Sequence, residues 1–340
     1  MHNLFTPRKI HIYTKARWQS VSSSHPKPME PIVLVHGGAG DIPDSRVQPK
    51  LSGNRKAVDE AYAILKNGGG ALEAVEAAVR VMEDDEAFNA GYGSVLNLEG
   101  EVEMDASIMD GNSLNAGAVT VVKDIANPIS LARLVMEKTP HVLLAGQGAN
   151  KFATEQGVSR VPPGGLVSPF AIEALNQFKL NKDNRTEIGA KNPGEVGTVG
   201  AVALDQNGNL AAATSTGGIN GKMVGRSSDT CMIGSGTYAD NSIGAVSTTG
   251  HGETIAKFCL AHAIIKDMEY KNSTADRATK EILNKMKLKL NNTAGAITLS
   301  KCGQVGIGFN SKRMSWGYRK GSEYHYGIEQ GQHEIKTIKN

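Results

Sequence analysis

The stretch EVGTVGAVALDQNGNLAAATSTGG, residues 195–218, predicts a β-hairpin. The side chains alternate along its two halves, VGAVALD and NLAAAT, which flank a turn at 206–208 that ends in glycine. Thr198 opens the first half after a glycine, and Thr216 closes the second half before a glycine pair. β-Branched threonines favour strands and glycines end them, so this stretch alone leaves a structural and a chemical explanation of the two hydroxyls open.

The composition is that of a soluble globular chain. Its 340 residues are 40% hydrophobic, which supports a substantial core. The 37 basic and 34 acidic residues leave a formal charge of +3, and only 5% are aromatic, so a nucleic-acid partner is not indicated. The sequence contains no run of eighteen apolar residues, so it predicts no membrane span. The three cysteines (Cys231, Cys259 and Cys302) include no CxxC pair, which fits a reducing compartment and no metal site.

Residues 1–28 differ in composition from the rest of the chain. They contain five basic residues, no acidic residue and a serine-rich run at 20–24, which is typical of a mitochondrial presequence. A disordered tail and an untranslated leader before a start at Met29 are the alternatives. We expect a cytoplasmic protein, with mitochondrial import as the alternative if residues 1–28 act as a presequence.

Hydrophobic periodicity predicts strands in both halves of the chain with helices beside them. Strands are predicted for IVLVHGGAG, EVEMDASIM, AGAVTVV, AGAITLS and GQVGIGF, besides the hairpin above and a second hairpin turn at 98–100. The predicted helices cover 55–66, 71–84, 130–138, 253–268 and 273–290. Because no βαβ alternation is sustained, an α+β fold with antiparallel pairing is favoured over a doubly wound sheet. Residues 156–197 lose this regularity apart from one short helix and predict a solvated, mobile connector.

Several familiar site motifs are incomplete. HGGAGDIP and GQGANK begin like a dinucleotide fingerprint, but neither completes GxGxxG before a helix. GGINGKM is one residue short of a phosphate loop. The sequence has no GxSxG and no HExxH, which disfavours a serine hydrolase and a zinc peptidase. His251 is a candidate base or ligand, although an isolated histidine between glycines is more often structural.

Thr198 has a chemical use that depends on cutting the chain in front of it. A threonine hydroxyl is a weak nucleophile without a neighbouring base, and an N-terminal threonine carries its own base, the α-amino group. That group titrates near pH 8, which suits general-base catalysis. Gly197 permits the backbone geometry from which the hydroxyl can attack the preceding carbonyl. The predicted mobile connector can then move away.

Seven motifs together indicate a family. They are HGGAG (36–40), FNAGYGSVLN (88–97), EMDASIMDG (103–111), GTVGAVALD (197–205), ATSTGG (213–218), GRSSDT (225–230) and STTGHGE (247–253). In this order and spacing they resemble the plant-type asparaginase and isoaspartyl peptidase branch of the N-terminal-nucleophile hydrolases, and most of all its animal cytosolic members. The resemblance covers roughly residues 31–328. Residues 1–28 lie outside the family pattern, and few correspondences follow Phe309.

The resemblance implies roles for residues in these motifs. Thr198 is similar to the family's nucleophile, released by cleavage after Gly197, and Thr216 to the threonine that orients it. Thr249 and Gly250 resemble the oxyanion hole, which a hydroxyl and a backbone N–H are suited to form. Asn89 is implied to lie against the same site.

Substrate recognition is likewise implied by the resemblance. Arg226 is similar to the arginine that binds a substrate α-carboxylate through its planar fork, and Asp229 to the aspartate that binds the α-ammonium. Gly250 and Gly252 would contribute backbone to the pocket. A free aspartyl unit satisfies both charges, so L-asparagine and isoaspartyl dipeptides would share one site. Without the surrounding motifs, Arg226 and Asp229 could equally be a surface pair.

The resemblance also implies a sodium-binding loop at residues 82–90. Its expected ligands are mostly backbone carbonyls, by position those of Met82, Glu83, Asp85, Phe88 and Ala90. Main-chain ligands leave little trace in a sequence, and an ordinary helix-ending turn is the alternative. No cofactor is expected for the chemistry itself.

The implied protein is a four-layer αββα sandwich. Residues 29–197 would form an α subunit ending in the connector 156–197, and residues 198–340 a β subunit that starts at the nucleophile. Family members are dimers of such αβ heterodimers. The implied activity is hydrolysis of isoaspartyl dipeptides and L-asparagine to release L-aspartate. The alternatives are a glycosylasparaginase-like amidase and a non-cleaving relative that only binds an amino acid.

Overall fold

The computed structural model describes residues 28–180 and 197–338, which form an α+β fold with two sheets. Residues 1–27 of the predicted presequence and 181–196 of the predicted connector lie outside the described residues. The strands are β1 (Ile32–Gly40), β2 (Met104–Asp110), β3 (Ala116–Val122), β4 (Leu143–Ala145), β5 (Val199–Leu204), β6 (Leu210–Thr216), β7 (Thr237–Asp240), β8 (Gly244–Gly250), β9 (Ala294–Ser300), β10 (Val305–Phe309), β11 (Arg313–Lys320), β12 (Glu323–Glu329) and β13 (Glu334–Thr337). The helices are α1 (Asp44–Lys66), α2 (Ala71–Glu83), α3 (Pro128–Lys138), α4 (Gly146–Glu155), α5 (Pro169–Leu180), α6 (Gly252–Phe258), α7 (Leu260–Lys271) and α8 (Ala275–Leu290).

The larger sheet has the strand order β13-β12-β11-β1-β5-β6-β2-β3-β4, and the smaller one β10-β9-β8-β7. All pairs are antiparallel except β3 with β4, which confirms the predicted antiparallel pairing. The predicted hairpin of 195–218 is also confirmed, because β5 pairs with β6 in the middle of the larger sheet. The hairpin therefore has a neighbouring strand on each side, β1 and β2.

The central strands are buried on both faces, so their sequences are apolar throughout rather than alternating. Val33 and Val35 of β1 pack with residues of α1, α2 and α3 on one face of the larger sheet. Ile32 and Leu34 point the other way and pack against β8 and β9 of the smaller sheet. A third apolar cluster joins the smaller sheet to α6, α7 and α8. In the described residues no helix is long and apolar enough to span a bilayer.

Helix α1 begins at Asp44, eleven residues before the predicted start at Arg55. The extension contains Pro49 and Gly53, and proline and glycine both destabilise helix interiors. Tertiary packing overrides this propensity. A Cβ atom on Gly53 would lie 2.4 Å from the Phe88 ring, so the glycine is what lets the helix approach that ring.

Two further predictions were wrong in detail. The single helix predicted over 253–268 is broken at Cys259, whose φ of 52° is left-handed, because the first N–H groups of α7 bond to the carbonyls of Gly234 and Ser235. The turn at 98–100 exists, but no second hairpin flanks it. The segment before it forms a 3-10 turn at Gly91–Gly93 and pairs with the loop after β6 instead.

Candidate active site

Two buried hydroxyls meet at one end of the β5–β6 hairpin. Thr198 directly precedes β5 and Thr216 ends β6, and the pairing of Val199 with Ser215 sets them opposite each other. The Thr198 hydroxyl donates to the Thr216 hydroxyl over 3.1 Å. Both residues are buried. The hairpin register thus brings together the two threonines that the sequence singled out.

The peptide bond before Thr198 lies against the backbone of the HGGAG motif. A Cβ on Gly38, whose φ is +106°, would lie 2.5 Å from the Gly197 carbonyl oxygen. One on Gly197 would lie 2.6 Å from the Ala39 carbonyl oxygen and 2.8 Å from Thr249 Oγ1. Because real Cβ atoms do not approach so closely, glycine is required on both sides of this contact.

Thr249 approaches the same peptide from the smaller sheet. Its hydroxyl oxygen accepts a 3.0 Å hydrogen bond from the Ala39 N–H, which leaves the hydroxyl proton free to be donated elsewhere. Gly250 follows with a φ of +138°, a conformation that L side chains rarely adopt. Of the two residues, Thr249 lies directly against Gly197, with its Oγ1 2.8 Å from the Cβ position of that glycine.

The oppositely charged side chains of Arg226 and Asp229 both lie next to Gly252, the first residue of α6. A Cβ there would lie 2.7 Å from Arg226 Nη2 and 2.9 Å from Asp229 Oδ1. Glu253 accepts a 2.9 Å hydrogen bond from Arg226 Nε, whereas the buried Nη1 has no partner. A guanidinium held at Nε with an unpaired Nη1 is arranged to bind an anion.

Burial raises the pKa of Asp229 to about 7, although the nearby Arg226 guanidinium opposes this shift. The carboxyl group is 2% exposed, and its nearest hydroxyl, on Thr248, is 3.4 Å away. Such a weakly partnered carboxylate is stabilised by any cation that enters the pocket. The geometry and the charge of Asp229 therefore suit an ammonium group.

The threonine pair and the charged pair belong to one site because Gly218 touches both. Its N–H donates to Thr216 Oγ1 over 3.0 Å, and a Cβ on it would lie 2.9 Å from Arg226 Nη1. Asn89 supports this glycine turn. Its backbone carbonyl accepts from the Gly217 N–H at 2.9 Å, and its Nδ2 donates to the Gly218 carbonyl at 2.7 Å. Asn89 thus lies next to the site but bonds to backbone rather than facing the nucleophile.

Comparison with known proteins identifies the family of this chain. The family model described as asparaginase matches residues 29–328. The chain belongs to the asparaginase family. It is 50% identical over 308 residues to the isoaspartyl peptidase/L-asparaginase of Bos taurus, which covers 90% of this chain and 99% of that protein. The protein of the same name from Xenopus laevis is 47% identical over 310 residues, with 91% and 99% covered.

A relative from an insect is similar over nearly the same span. The probable isoaspartyl peptidase/L-asparaginase of Drosophila pseudoobscura pseudoobscura is 47% identical over 312 residues, 88% of this chain and 96% of that protein. Membership of the asparaginase family makes the chain a hydrolase, as its sequence motifs indicated.

Sequence reasoning missed Asp105 in this asparaginase-family chain, although it lies inside the motif EMDASIMDG. Its carboxylate accepts from the Thr120 hydroxyl at 2.7 Å and the Val121 N–H at 3.0 Å through one oxygen. The other oxygen accepts from the Ser228 N–H at 2.7 Å. Asp105 thereby holds the segment that carries the charged pair of the pocket. An acidic residue within an apolar strand was the signal that could have revealed it.

His36, the first residue of HGGAG, was also given no role. Its Nε2 lies 2.9 Å from Ser247 Oγ, which in turn lies 2.7 Å from Thr214 Oγ1. These contacts join β1, β8 and β6 in the space between the two sheets. Burial lowers the pKa of His36 to about 3, so the ring is neutral at physiological pH.

The loop after α2 carries the predicted sodium site. A Cβ on Gly91 would lie 2.1 Å from the Glu83 carbonyl oxygen, and one on Gly93 would lie 2.0 Å from the Phe88 carbonyl oxygen. Only glycine allows the chain to curl so tightly around these carbonyls, and carbonyl oxygens suit a hard cation. Of the expected ligands, the Asp85 and Ala90 carbonyls already accept from the Phe88 and Gly93 N–H groups, so the sodium site stays a prediction. Among the described residues, no three His, Cys, Asp or Glu side chains are grouped as metal ligands.

Proposed function

We propose that this chain is an autocatalytically processed threonine hydrolase that cleaves isoaspartyl dipeptides and L-asparagine and releases L-aspartate. The contact between the Thr198 and Thr216 hydroxyls carries this proposal. Thr198 directly follows Gly197, whose peptide lies between Gly38 and Thr249. The relatives named isoaspartyl peptidase/L-asparaginase support the substrate class.

In the proposed maturation, the Thr198 hydroxyl oxygen attacks the carbonyl carbon of Gly197. The C–N bond of that peptide breaks, the nitrogen takes a proton, and an ester joins Gly197 to the threonine oxygen. Water then hydrolyses the ester. The first product ends in the Gly197 carboxylate, and the second begins with the free amine of Thr198.

In the proposed hydrolysis, the freed amine acts as the general base for the Thr198 hydroxyl. The oxygen attacks the side-chain carbonyl of the substrate, and the Thr249 hydroxyl and Gly250 N–H stabilise the tetrahedral oxyanion. The C–N bond breaks, and the amine returns its proton to the leaving ammonia or amino acid. Water attacks the acyl-enzyme by the same route and releases L-aspartate.

Substrate selection follows from the charged pair. Arg226 would bind the α-carboxylate through its unpaired Nη1, while Asp229 would bind the α-ammonium. Gly252 leaves room for both groups, because any side chain there would overlap the guanidinium. Ordinary α-linked aspartyl peptides lack the free α-carboxylate, so the site would reject them.

We also propose the finer features that accompany this function. The two sheets and their flanking helices would stack as four αββα layers, and the processed chain would assemble as a dimer of αβ heterodimers in the cytoplasm. The carbonyls of Met82, Glu83, Asp85, Phe88 and Ala90 would hold a sodium ion. Its charge would stabilise the loop that carries Asn89, without a part in bond breaking.

The deciding experiment compares the wild-type chain with Thr198→Ala. Wild-type protein should yield two chains of about 21 and 15 kDa, in proportion to the 36.0 kDa of the whole, with the smaller beginning at Thr198. Thr198→Ala should stay intact and should not release aspartate from L-asparagine or a β-aspartyl dipeptide. Thr154→Ala, on exposed α4, is the control. Cleavage or wild-type turnover by Thr198→Ala would refute the mechanism.

A further inference from the structure

A buried lysine lies between the threonine pair and the charged pair of the pocket. Lys222 follows the glycine turn after β6, and it is only 3% exposed. Its Nζ donates to the Glu103 carbonyl at 2.5 Å and to the Gly217 carbonyl at 3.0 Å. In the described residues, no carboxylate lies within ion-pair distance of this ammonium. Burying a cation that is bonded to two carbonyls costs free energy of folding, so the position of Lys222 calls for a functional explanation.

The bond to Gly217 connects Lys222 to the proposed nucleophile. Gly217 and Gly218 form the turn whose N–H fixes the Thr216 hydroxyl, and that hydroxyl contacts Thr198. Asn89 holds one side of this turn, and the Lys222 ammonium holds the other. Loss of either contact would free the turn to move, and the Thr216 hydroxyl would move with it.

Lys222 is also close to the proposed carboxylate site. A Cβ on Gly218 would lie 3.2 Å from Lys222 Nζ and 2.9 Å from Arg226 Nη1, so the two cations flank the same glycine. Their proximity adds positive charge where a substrate α-carboxylate would bind. Burial lowers the pKa of Lys222 to about 8, with the Arg226 charge acting in the same direction and Asp105 and Glu103 opposing it. An entering carboxylate would relieve this repulsion.

We propose that the Lys222 ammonium is a positioning residue for the reaction, which holds the Gly217–Gly218 turn and strengthens the binding of the substrate carboxylate at Arg226. This inference rests on the function proposed above. It makes two separable claims. Loss of the donor should lower kcat through Thr216, and loss of the charge should raise KM through Arg226.

The test compares Lys222→Met, Lys222→Gln and Lys222→Arg with Lys123→Met. Lys123 is the matched control because it lies near the side chain of the same Glu103 but is partly exposed and outside the site. For fully cleaved protein, verified by mass, kcat and KM are measured for L-asparagine from pH 6 to 10. We expect at least a 100-fold loss of kcat/KM in Lys222→Met and a smaller loss in Lys222→Gln, which keeps a donor without the charge.

The pH profile separates positioning from a merely structural role. Wild-type kcat/KM should fall above about pH 8 as Lys222 loses its charge, and this fall should be displaced to higher pH in Lys222→Arg. Lys123→Met should match the wild type. A Lys222→Met enzyme with unchanged kcat, KM and pH profile would overturn the inference. So would a variant whose only defect is a lower melting temperature.

A binding measurement distinguishes failure of this inference from failure of the proposed function. Calorimetry with L-aspartate is performed on the Thr198→Ala chain with and without Lys222→Met. At least tenfold weaker binding with Lys222→Met supports the inference, even if the wild type proves unable to turn over substrate. Equal binding by the two chains, or no binding by either, contradicts it.

Discussion

At the scale of single residues, close backbone contact determines the geometry around the Gly197–Thr198 bond, the proposed cleavage site. Gly38 and Gly197 touch with no room for a side chain, and the positive φ of Gly38 turns its peptide toward the bond before Thr198. In the sequence, HGGAG is part of a predicted strand and a family motif, and neither reveals the contact partner of Gly38. That this partner is Gly197, far along the chain, could not be inferred from local sequence.

We predict that Gly38→Ala slows chain cleavage to less than a tenth of the wild-type rate. Its Cβ would overlap the Gly197 carbonyl oxygen, so the scissile bond would have to shift. Gly146→Ala is the matched control, because Gly146 has a φ of +50° but no atom within 4 Å of its Cβ position. Gly146→Ala should lose about 1 kcal/mol of stability from left-handed strain. Gly38→Ala should lose more, because its Cβ also overlaps backbone atoms of Gly197. The ratio of cut to intact chain over time measures the effect, and equal rates would contradict the prediction.

The buried carboxylate of Asp229 lowers the stability of the folded chain at neutral pH. Because burial raises its pKa from 3.8 to about 7, the folded chain binds more protons than the unfolded chain between these pH values. Stability therefore falls as the pH rises from 4 to 7, and the loss persists above pH 7. In the proposed function, the substrate ammonium would compensate for this unfavourable carboxylate.

We predict that Asp229→Asn melts at a higher temperature than the wild type at pH 8, and that the difference disappears toward pH 4. Its kcat/KM for L-asparagine should fall at least 100-fold, since an amide cannot neutralise an ammonium. Melting curves at several pH values and steady-state kinetics test both parts. The melting temperature of Asp229→Asn relative to the wild type should be higher at pH 8 than at pH 4. If it were lower, the predicted direction of the pH dependence would be wrong.

At the scale of elements, tertiary contacts correct what periodicity predicts. The apolar strands and the hairpin of 195–218 were predicted well, because alternation and turn glycines are local signals. The start of α1 and the break between α6 and α7 were not, because both depend on partners distant in sequence. Cys259 adopts its left-handed conformation so that α7 can bond to the turn at 234–235.

We predict that Cys259→Gly stabilises the protein by up to about 1 kcal/mol, because glycine adopts a φ of 52° without steric strain. Cys302→Gly should have the opposite effect. Cys302 is also exposed, but its φ is not positive, so glycine there only adds freedom to the unfolded chain. Thermal unfolding of both variants provides the comparison. A change of the same sign in both would refute the assignment of strain to Cys259.

At the scale of the whole molecule, the two proposed subunits share one sheet. Strands β1 to β4 precede the Gly197–Thr198 bond, and the remaining strands follow it. In the larger sheet, β1 lies between β11 and β5, while β6 pairs with β2. Three strand junctions therefore cross from one proposed subunit to the other.

We predict that the cleaved chains remain associated in native buffer and separate only in denaturant. Parting them would break three strand junctions and expose the apolar cores on both faces of the sheet. Size-exclusion chromatography should give one peak at the elution volume of the uncleaved Thr198→Ala chain, whereas a denaturing gel should show two bands. Separate native peaks for the two chains would contradict this topology.

The sequence by itself determined the α+β class, the central hairpin, the family and the residue types of the site, because these depend on local periodicity and on motifs in a given order. Only the tertiary structure decided which groups meet. Thr249 reaches Ala39 across 210 residues, and Asp105 holds Ser228 across 123. Such contacts arise from the pairing of strands and the packing of two sheets, whose register is set by the whole core. For this reason the contacts of Lys222 and Asp105 became visible only in the folded chain.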